Sequence, residues 1–254
     1  MVFAVLFSCS PAFAGVFTLV EGEIGDAPYA LAVPEPWEGG IIVLAHGWRP
    51  ASAPVVAVLD PGDPLVGAYL ERGWLVAATG YRRNGWILED AAEDIANLLD
   101  LVGEEYGIPR RVVVEGTSLG ANIGLWMSES DDPLLDGLVA LAADPGAEGP
   151  DGPTAWDWNP QVPVLLMSNR DEYAVVEDYA ARVGGEAVRP AMWILDRDGH
   201  VNLNAAERLG AHAALQEWLE AVSYTHLRAH ETSLAISYSV VWVKKRGGGG
   251  GGGG

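Results

Sequence analysis

Ser118 sits in Gly116-Thr117-Ser118-Leu119-Gly120, directly after the strand-like run Val112-Val113-Val114 and before an apolar, helix-compatible stretch. A G-x-S-x-G pattern in that setting makes a sharp strand-to-helix turn that lifts the serine hydroxyl above the edge of a sheet. Glycine on both sides lets neighbouring backbone approach without a Cβ in the way. The helix N-terminus behind the serine offers an unpaired N–H and a positive dipole to a developing oxyanion. The chemistry implied is nucleophilic attack on a carbonyl, and such a hydroxyl needs a base. His200, in Asp198-Gly199-His200-Val201-Asn202, follows the last strand-like run and precedes the final helix, where the chain order serine, acid, histidine would put it. The acid is expected at Asp171, just after the strand Pro163–Met167; Glu172 is its neighbour, and Asp144 is the next choice. The oxyanion donors are expected to be the backbone N–H groups of Leu119 and Trp48. Asp196 and Asp198 read as loop residues.

These residues have to be held by something. Ile41–Ala45 is a short β-branched run ending at His46-Gly47, Leu65–Arg72 reads as a helix stopped by Gly73, and Trp74–Ala78 reads as the next strand. Ile87–Tyr106 carries Ala91, Ile95, Leu98, Leu99 and Val102 on one helical face, with Gly107 as a C-cap and Pro109 preventing continuation. Arg111–Glu115 is a strand and Leu119–Ser128 a helix. Leu135–Ala142, Val164–Met167 and Met192–Leu195 read as further strands, and Ala211, Leu215, Trp218 and Leu219 mark a last amphipathic helix. Continuous apolar strands between amphipathic helices predict an α/β fold, a mainly parallel central sheet with helices on both faces.

Composition narrows the partners. Fifteen Lys+Arg against 35 Asp+Glu give a formal charge of −20, which opposes binding to nucleic acid or anionic lipid. No apolar run is long enough for a membrane span. Cys9 is the single cysteine, so neither an intramolecular disulfide nor a cysteine-based metal site is available, and no metal or organic cofactor is called for. Both lysines lie near the C-terminus; abundant acid without lysine upstream fits either a salt-adapted source or GC-rich coding.

Both ends depart from the pattern. Residues 1–14 combine an apolar stretch, Val2–Phe7, with Pro11 and a small-x-small site at Ala12-Phe13-Ala14, and read as a truncated signal peptide of a secreted or periplasmic protein; an ordinary first β-strand is the alternative. Residues 222–254, from Val222-Ser-Tyr-Thr-His-Leu-Arg-Ala-His-Glu-Thr232 to a closing run of glycines, resemble a translated sequencing adapter and are read as a non-native tail. The expected domain is therefore 15–221. Within it only His46, His200 and His212 remain as histidines. His46 precedes a glycine at a strand end and is expected to shape its loop, while His212 lies mid-helix and reads as structural.

Tyr29-Ala-Leu-Ala-Val-Pro-Glu-Pro-Trp37 through His46-Gly47-Trp48-Arg49, Gly80-Tyr-Arg-Arg-Asn-Gly-Trp86 and Gly199-His-Val-Asn202 together resemble secreted α/β-hydrolases of the esterase and prolyl-oligopeptidase-like group. The resemblance spans about residues 16–220. It implies the α/β-hydrolase sheet topology, a serine–histidine–acid triad and a carboxylic ester or amide substrate. Many hydrolases insert a helical cap where this chain has only the Gly/Pro/Asp-rich interval Pro145–Val162, so no substantial cap domain is expected. Tyr81, Arg82, Trp86, Trp156 and Trp158 are candidates to line the substrate site. Arg82 or Arg83 could hold a substrate carboxylate; the alternative is a solvated turn whose arginines meet acidic neighbours. The leading expectation is an esterase acting on a small ester, followed by a peptidase acting on short peptides. A catalytically inactive binding protein of the same fold is the third reading. Oligomeric state is not legible.

Overall fold

The computed structural model describes residues 3–6, 16–150, 152–184 and 187–228. Among these residues nine strands form one sheet: β1 (Phe3–Leu6), β2 (Val16–Ile24), β3 (Ala27–Glu35), β4 (Gly40–Ala45), β5 (Leu75–Thr79), β6 (Arg111–Thr117), β7 (Gly137–Leu141), β10 (Val164–Asn169) and β11 (Ala191–Leu195). Two further two-residue strands, β8 (Glu148–Gly149) and β9 (Gly152–Pro153), make a separate hairpin. The order across the large sheet is β1-β2-β3-β5-β4-β6-β7-β10-β11. β1, β2, β3 and β5 pair antiparallel in that order, and every pairing from β5 onward is parallel. The central parallel strands are buried on both faces, which is why Ile41-Ile42-Val43 and Val112-Val113-Val114 run apolar without alternation.

Among the described residues five helices cover the sheet: α1 (Pro64–Leu70), α2 (Leu88–Glu105), α3 (Leu119–Ser128), α4 (Tyr173–Arg182) and α5 (Ala205–Arg228). On one face, α2, α3 and α4 bury Ile95, Leu98, Ile123, Leu125, Val176 and Tyr179 against Val43, Val114, Ala140 and Leu166. On the other, α1 and α5 bury Leu65, Val66, Ala211, Leu215 and Leu219 against Ile42, Val113, Val139 and Leu165. The expected three-layer arrangement is present. The long antiparallel pair β2–β3 was not read from the sequence, because its residues are interrupted by Gly22, Glu23, Pro28 and Pro34.

Phe3–Leu6, inside the segment read as a signal peptide, pairs antiparallel with Thr18–Glu21. The small-x-small site at Ala12–Ala14 lies outside the described residues, as does the tail from residue 229 onward. α5 itself continues past Ala221 to Arg228. Among the described residues no helix is long and apolar enough to cross a membrane.

Candidate active site

β4, β5, β6, β10 and β11 all end at the same edge of the sheet, and the loops that follow them converge there. Parallel sheets place their ligand sites at this carboxyl edge because successive loops meet above it.

Ser118 joins β6 to α3 with φ 55° and ψ −118°. A non-glycine residue at positive φ is strained, and at such a turn the strain holds the side chain out from the sheet. Packing leaves the turn no slack. A Cβ on Gly116 would lie 2.2 Å from Gly120 O, and one on Gly120 would lie 2.0 Å from Ala45 O. Glycine at both positions is thus a requirement of the contact between β6, α3 and β4.

Ser118 Oγ lies 2.8 Å from His200 Nε2, and His200 Nδ1 lies 2.9 and 3.1 Å from the two carboxylate oxygens of Glu172. The sequence reading gave the acid to Asp171; its neighbour Glu172 holds that place in the geometry. Glu172 is the N-cap residue of α4, and its side chain makes no capping bond, so its longer carboxylate reaches the imidazole. The Asp171 carboxylate instead accepts the Gly199 N–H at 2.9 and 3.1 Å, one residue before His200. Asp144 is engaged elsewhere: its backbone N–H and C=O pair with the amide of Asn122 on α3.

The His200 loop is held from several sides. The buried Asn169 amide, at the end of β10, accepts the Asn202 N–H at 2.9 Å and donates to Asn202 O at 2.9 Å. Arg170 bonds Asp196 and Asp198, which act as the loop residues expected of them. Val201, immediately after His200, sits at φ 55°, an unfavourable conformation for a β-branched residue that this network sustains. Of these, Asn169 had no distinguishing sequence signal beyond its place at a strand end.

The oxyanion side is built from β4. Gly47 passes so close to the serine that a Cβ there would lie 3.2 Å from Ser118 Cβ. His46 Nδ1 donates to Gly47 O at 2.7 Å, and Tyr81 Oη donates to His46 O at 3.2 Å. With both carbonyls taken, peptide planarity turns the Gly47 and Trp48 N–H groups to the opposite side. Leu119, in the first turn of α3, has an N–H with no intrahelical partner to bond. Burial holds His46 below the ordinary imidazole range, so it is neutral and shapes the loop.

The expected lining residues divide. Tyr81 is buried, adopts φ 57° and stacks its ring 4.2 Å from that of His46, so it supports the oxyanion loop from beneath. Arg82 is bonded to Glu93 and to the buried Asp94 of α2, and Arg83 to Asp90, so both arginines meet acidic neighbours, one of those neighbours out of solvent. Trp86 packs under Gly149 and borders a cavity of about 280 Å³ with Leu88, Trp126 and Ala155; none of Ser118, His200 or Glu172 lines it. Trp156 and Trp158 turn inward against Tyr179 of α4, and Trp156 Nε1 donates to Pro145 O. That loop is tied down by Glu129, which accepts from Tyr179 Oη at 2.6 Å and from the Asp157 N–H at 2.8 Å. Hence Trp156 and Trp158 lie against α4 while Gly149 and Ala155 lie by Trp86, and the triad-like residues stay open, with the His200 side chain 50% exposed. Among the described residues no cluster of His, Cys, Asp and Glu has the geometry of a metal site.

Sheet order, elbow and edge site are those of the α/β-hydrolase fold, and solved structures of that fold superpose on the chain. An esterase of Pyrococcus furiosus matches with a TM-score of 0.56 at 16% identity, over 88% of this chain and 97% of its own. An alpha/beta hydrolase from the metagenome of lagoon sediments at Mar Chica, Morocco, matches with a TM-score of 0.56 at 16% identity, over 80% and 99%. An acylaminoacyl peptidase of Pyrococcus horikoshii gives 0.58 at 13% identity, over 81% of this chain and 41% of its own. No protein-family model matches the chain. In sequence, 131 residues are 35% identical to the o-phthalyl amidase of Xanthobacter agilis, covering 48% of this chain. The chain spans about a quarter of that relative's length, the matched part being 27% of it.

Proposed function

We propose that the protein is a serine hydrolase that cleaves a carboxylic ester, with Ser118 as nucleophile, His200 as general base and acid, and Glu172 as the carboxylate that orients His200. The observation that carries this reading is the continuous relay Ser118–His200–Glu172, at 2.8 and 2.9 Å, on a serine held at positive φ. His200 Nε2 takes the hydroxyl proton as Ser118 Oγ attacks the carbonyl carbon. Glu172 fixes the tautomer that leaves Nε2 free and stabilises the imidazolium. The negative oxygen of the tetrahedral intermediate sits between the Leu119 and Trp48 N–H groups. His200 then returns the proton to the leaving alkoxide, and water repeats the sequence on the acyl-enzyme.

Cleavage of an amide by the same residues is the second reading, favoured by the stretch 35% identical to an amidase. Secretion remains part of the proposal on the sequence pattern alone. A fluorophosphonate probe tests the core of it: the full chain is expected to be labelled at Ser118 and Ser118→Ala to remain unlabelled. Equal labelling of the two would overturn the assignment. Matched p-nitrophenyl esters and p-nitroanilides then separate the two readings, and turnover of anilides alone would remove the esterase.

A further inference from the structure

Between β4 and α1 the chain runs from His46 to Asp63 without regular secondary structure, yet it is fastened at several points. Arg49 Nη1 donates to Val56 O at 2.8 Å, Asn84 Nδ2 donates to Ala53 O at 2.8 Å, and Ala53 N–H bonds Pro50 O at 2.9 Å. Gly80, at the end of β5, lies flat beneath the segment; a Cβ there would come within 2.6 Å of the Val56 backbone. From Ala53 to Asp60 exposure alternates residue by residue, the pattern of an extended chain with one side turned to the protein. The side turned outward is apolar up to Asp60, which ends it. It carries Pro54, Val56 and Val58, with Val56 44% and Val58 60% exposed, and Trp48 at the start of the loop is 57% exposed.

Three of the eight exposed large hydrophobic side chains among the described residues thus belong to this one loop. The loop begins at Gly47, against Ser118 Cβ, and passes over β5, two strands from β6 and so about 10 Å across the sheet edge. It is an apolar strip that starts at the proposed nucleophile and leads away from it along the open edge. Trp156 and Trp158 are folded against Tyr179, while Trp48, Val56 and Val58 stay exposed.

We infer that this strip is the binding surface for an extended apolar acyl group of the substrate, which lies across Trp48, Val56 and Val58 on the outside of the protein rather than in an enclosed pocket. The inference rests on the serine-hydrolase reading and adds the substrate class: esters of medium or long aliphatic acids. The −20 charge disfavours an anionic lipid surface as the occupant, whereas a neutral acyl chain carries no such penalty. Exposed apolar area beside a site is withdrawn from water when an apolar ligand covers it, which favours binding.

The test compares p-nitrophenyl acetate with p-nitrophenyl decanoate, both below the concentration at which they aggregate. Wild type is expected to show a higher kcat/KM on the decanoate. Val56→Ser/Val58→Ser is expected to lose about three- to tenfold on the decanoate with acetate turnover unchanged. Val58→Leu, which adds apolar surface to an already exposed position, is expected to gain on the decanoate alone. Thermal melts on both variants confirm that the fold is intact. Equal effects on both esters, or no effect on either, would overturn the strip. Absence of any Ser118-dependent turnover would instead overturn the serine-hydrolase reading, and the strip with it.

Discussion

Two histidine–glutamate pairs lie on the same strand-and-helix frame, and they do opposite things with it. At the open edge, His200 and Glu172 are 50% and 31% exposed, and the far nitrogen of the imidazole faces a serine hydroxyl. Beneath the sheet, His212 and Glu115 are 1% and 4% exposed, 2.7 Å apart, and the far nitrogen faces Tyr69 Oη at 2.7 Å. Glu115 also takes two nitrogens of Arg208, and Arg208 reaches Asp63, the N-cap residue of α1. The residue types and hydrogen-bond pattern are nearly the same. What differs is the hydroxyl and its surroundings. Ser118 is strained outward at a sheet edge, where a substrate carbonyl can arrive, whereas burial drives the Tyr69 phenol well above its ordinary pKa and nothing can reach it. Residue type and hydrogen-bond pattern do not distinguish the two sites; access to the terminal hydroxyl does.

The sharpest way to break this comparison is to disable one pair at a time. Glu172→Gln is expected to lower kcat by about 10³–10⁴ while leaving the melting temperature nearly unchanged, because the imidazole would be held in the wrong tautomer. Glu115→Ala should do the reverse. Removing the carboxylate leaves His212 without its buried acceptor and Arg208 with Asp63 alone, and a loss of about 3–5 kcal/mol in urea unfolding is expected, with kcat per folded molecule retained. If Glu115→Ala reduced kcat at full folding, the buried pair would have a part in the chemistry.

Protonation offers a gentler probe. Burial alone would raise the Glu115 carboxyl, but hydrogen bonds and charge from His212 and Arg208 prevail and hold it below the ordinary carboxylate range. A carboxyl whose folded pKa is depressed contributes stability that is fully present above its unfolded value. That contribution is lost as pH falls through the folded value. Stability should therefore fall in acid below about pH 4.3, the unfolded glutamate value. Glu115→Gln should flatten that limb of a pH–stability curve, and an unchanged acid limb would remove Glu115 as its source. The smallest effect is expected at Asp171. Asp171→Asn keeps an acceptor for the Gly199 N–H and should cost less than tenfold in kcat, without altering the pH profile of turnover. A loss equal to that of Glu172→Gln would return the triad acid to Asp171.

The asymmetry between the pairs also marks how far the sequence could be read. Ser118 was legible because steric needs leave a trace: only glycine fits at 116 and 120. His200 was legible from its place between the last strand and the last helix, and His212 read as structural from its position mid-helix. The choice between Asp171 and Glu172 was not legible. Two adjacent carboxylates leave the same turn, and which one meets the imidazole depends on one residue of backbone direction and one methylene of reach. Trp156 and Trp158 were similarly ambiguous, since an aromatic in a loop can face substrate or core. Glu115 gave no signal as a buried anchor, because its partners lie on elements distant in sequence, with Tyr69 on α1 and Arg208 and His212 on α5.

Glu115 and Ser118 stand three residues apart on one continuous run from β6 into the elbow. The anchor that ties α1 and α5 to the sheet and the proposed nucleophile are thus carried by the same few peptide units. For anyone who divides this chain into complementing fragments or relocates its termini, residues 111–128 form a unit to be kept whole. New ends belong in exposed connections outside that run, such as the one around Leu134 between α3 and β7.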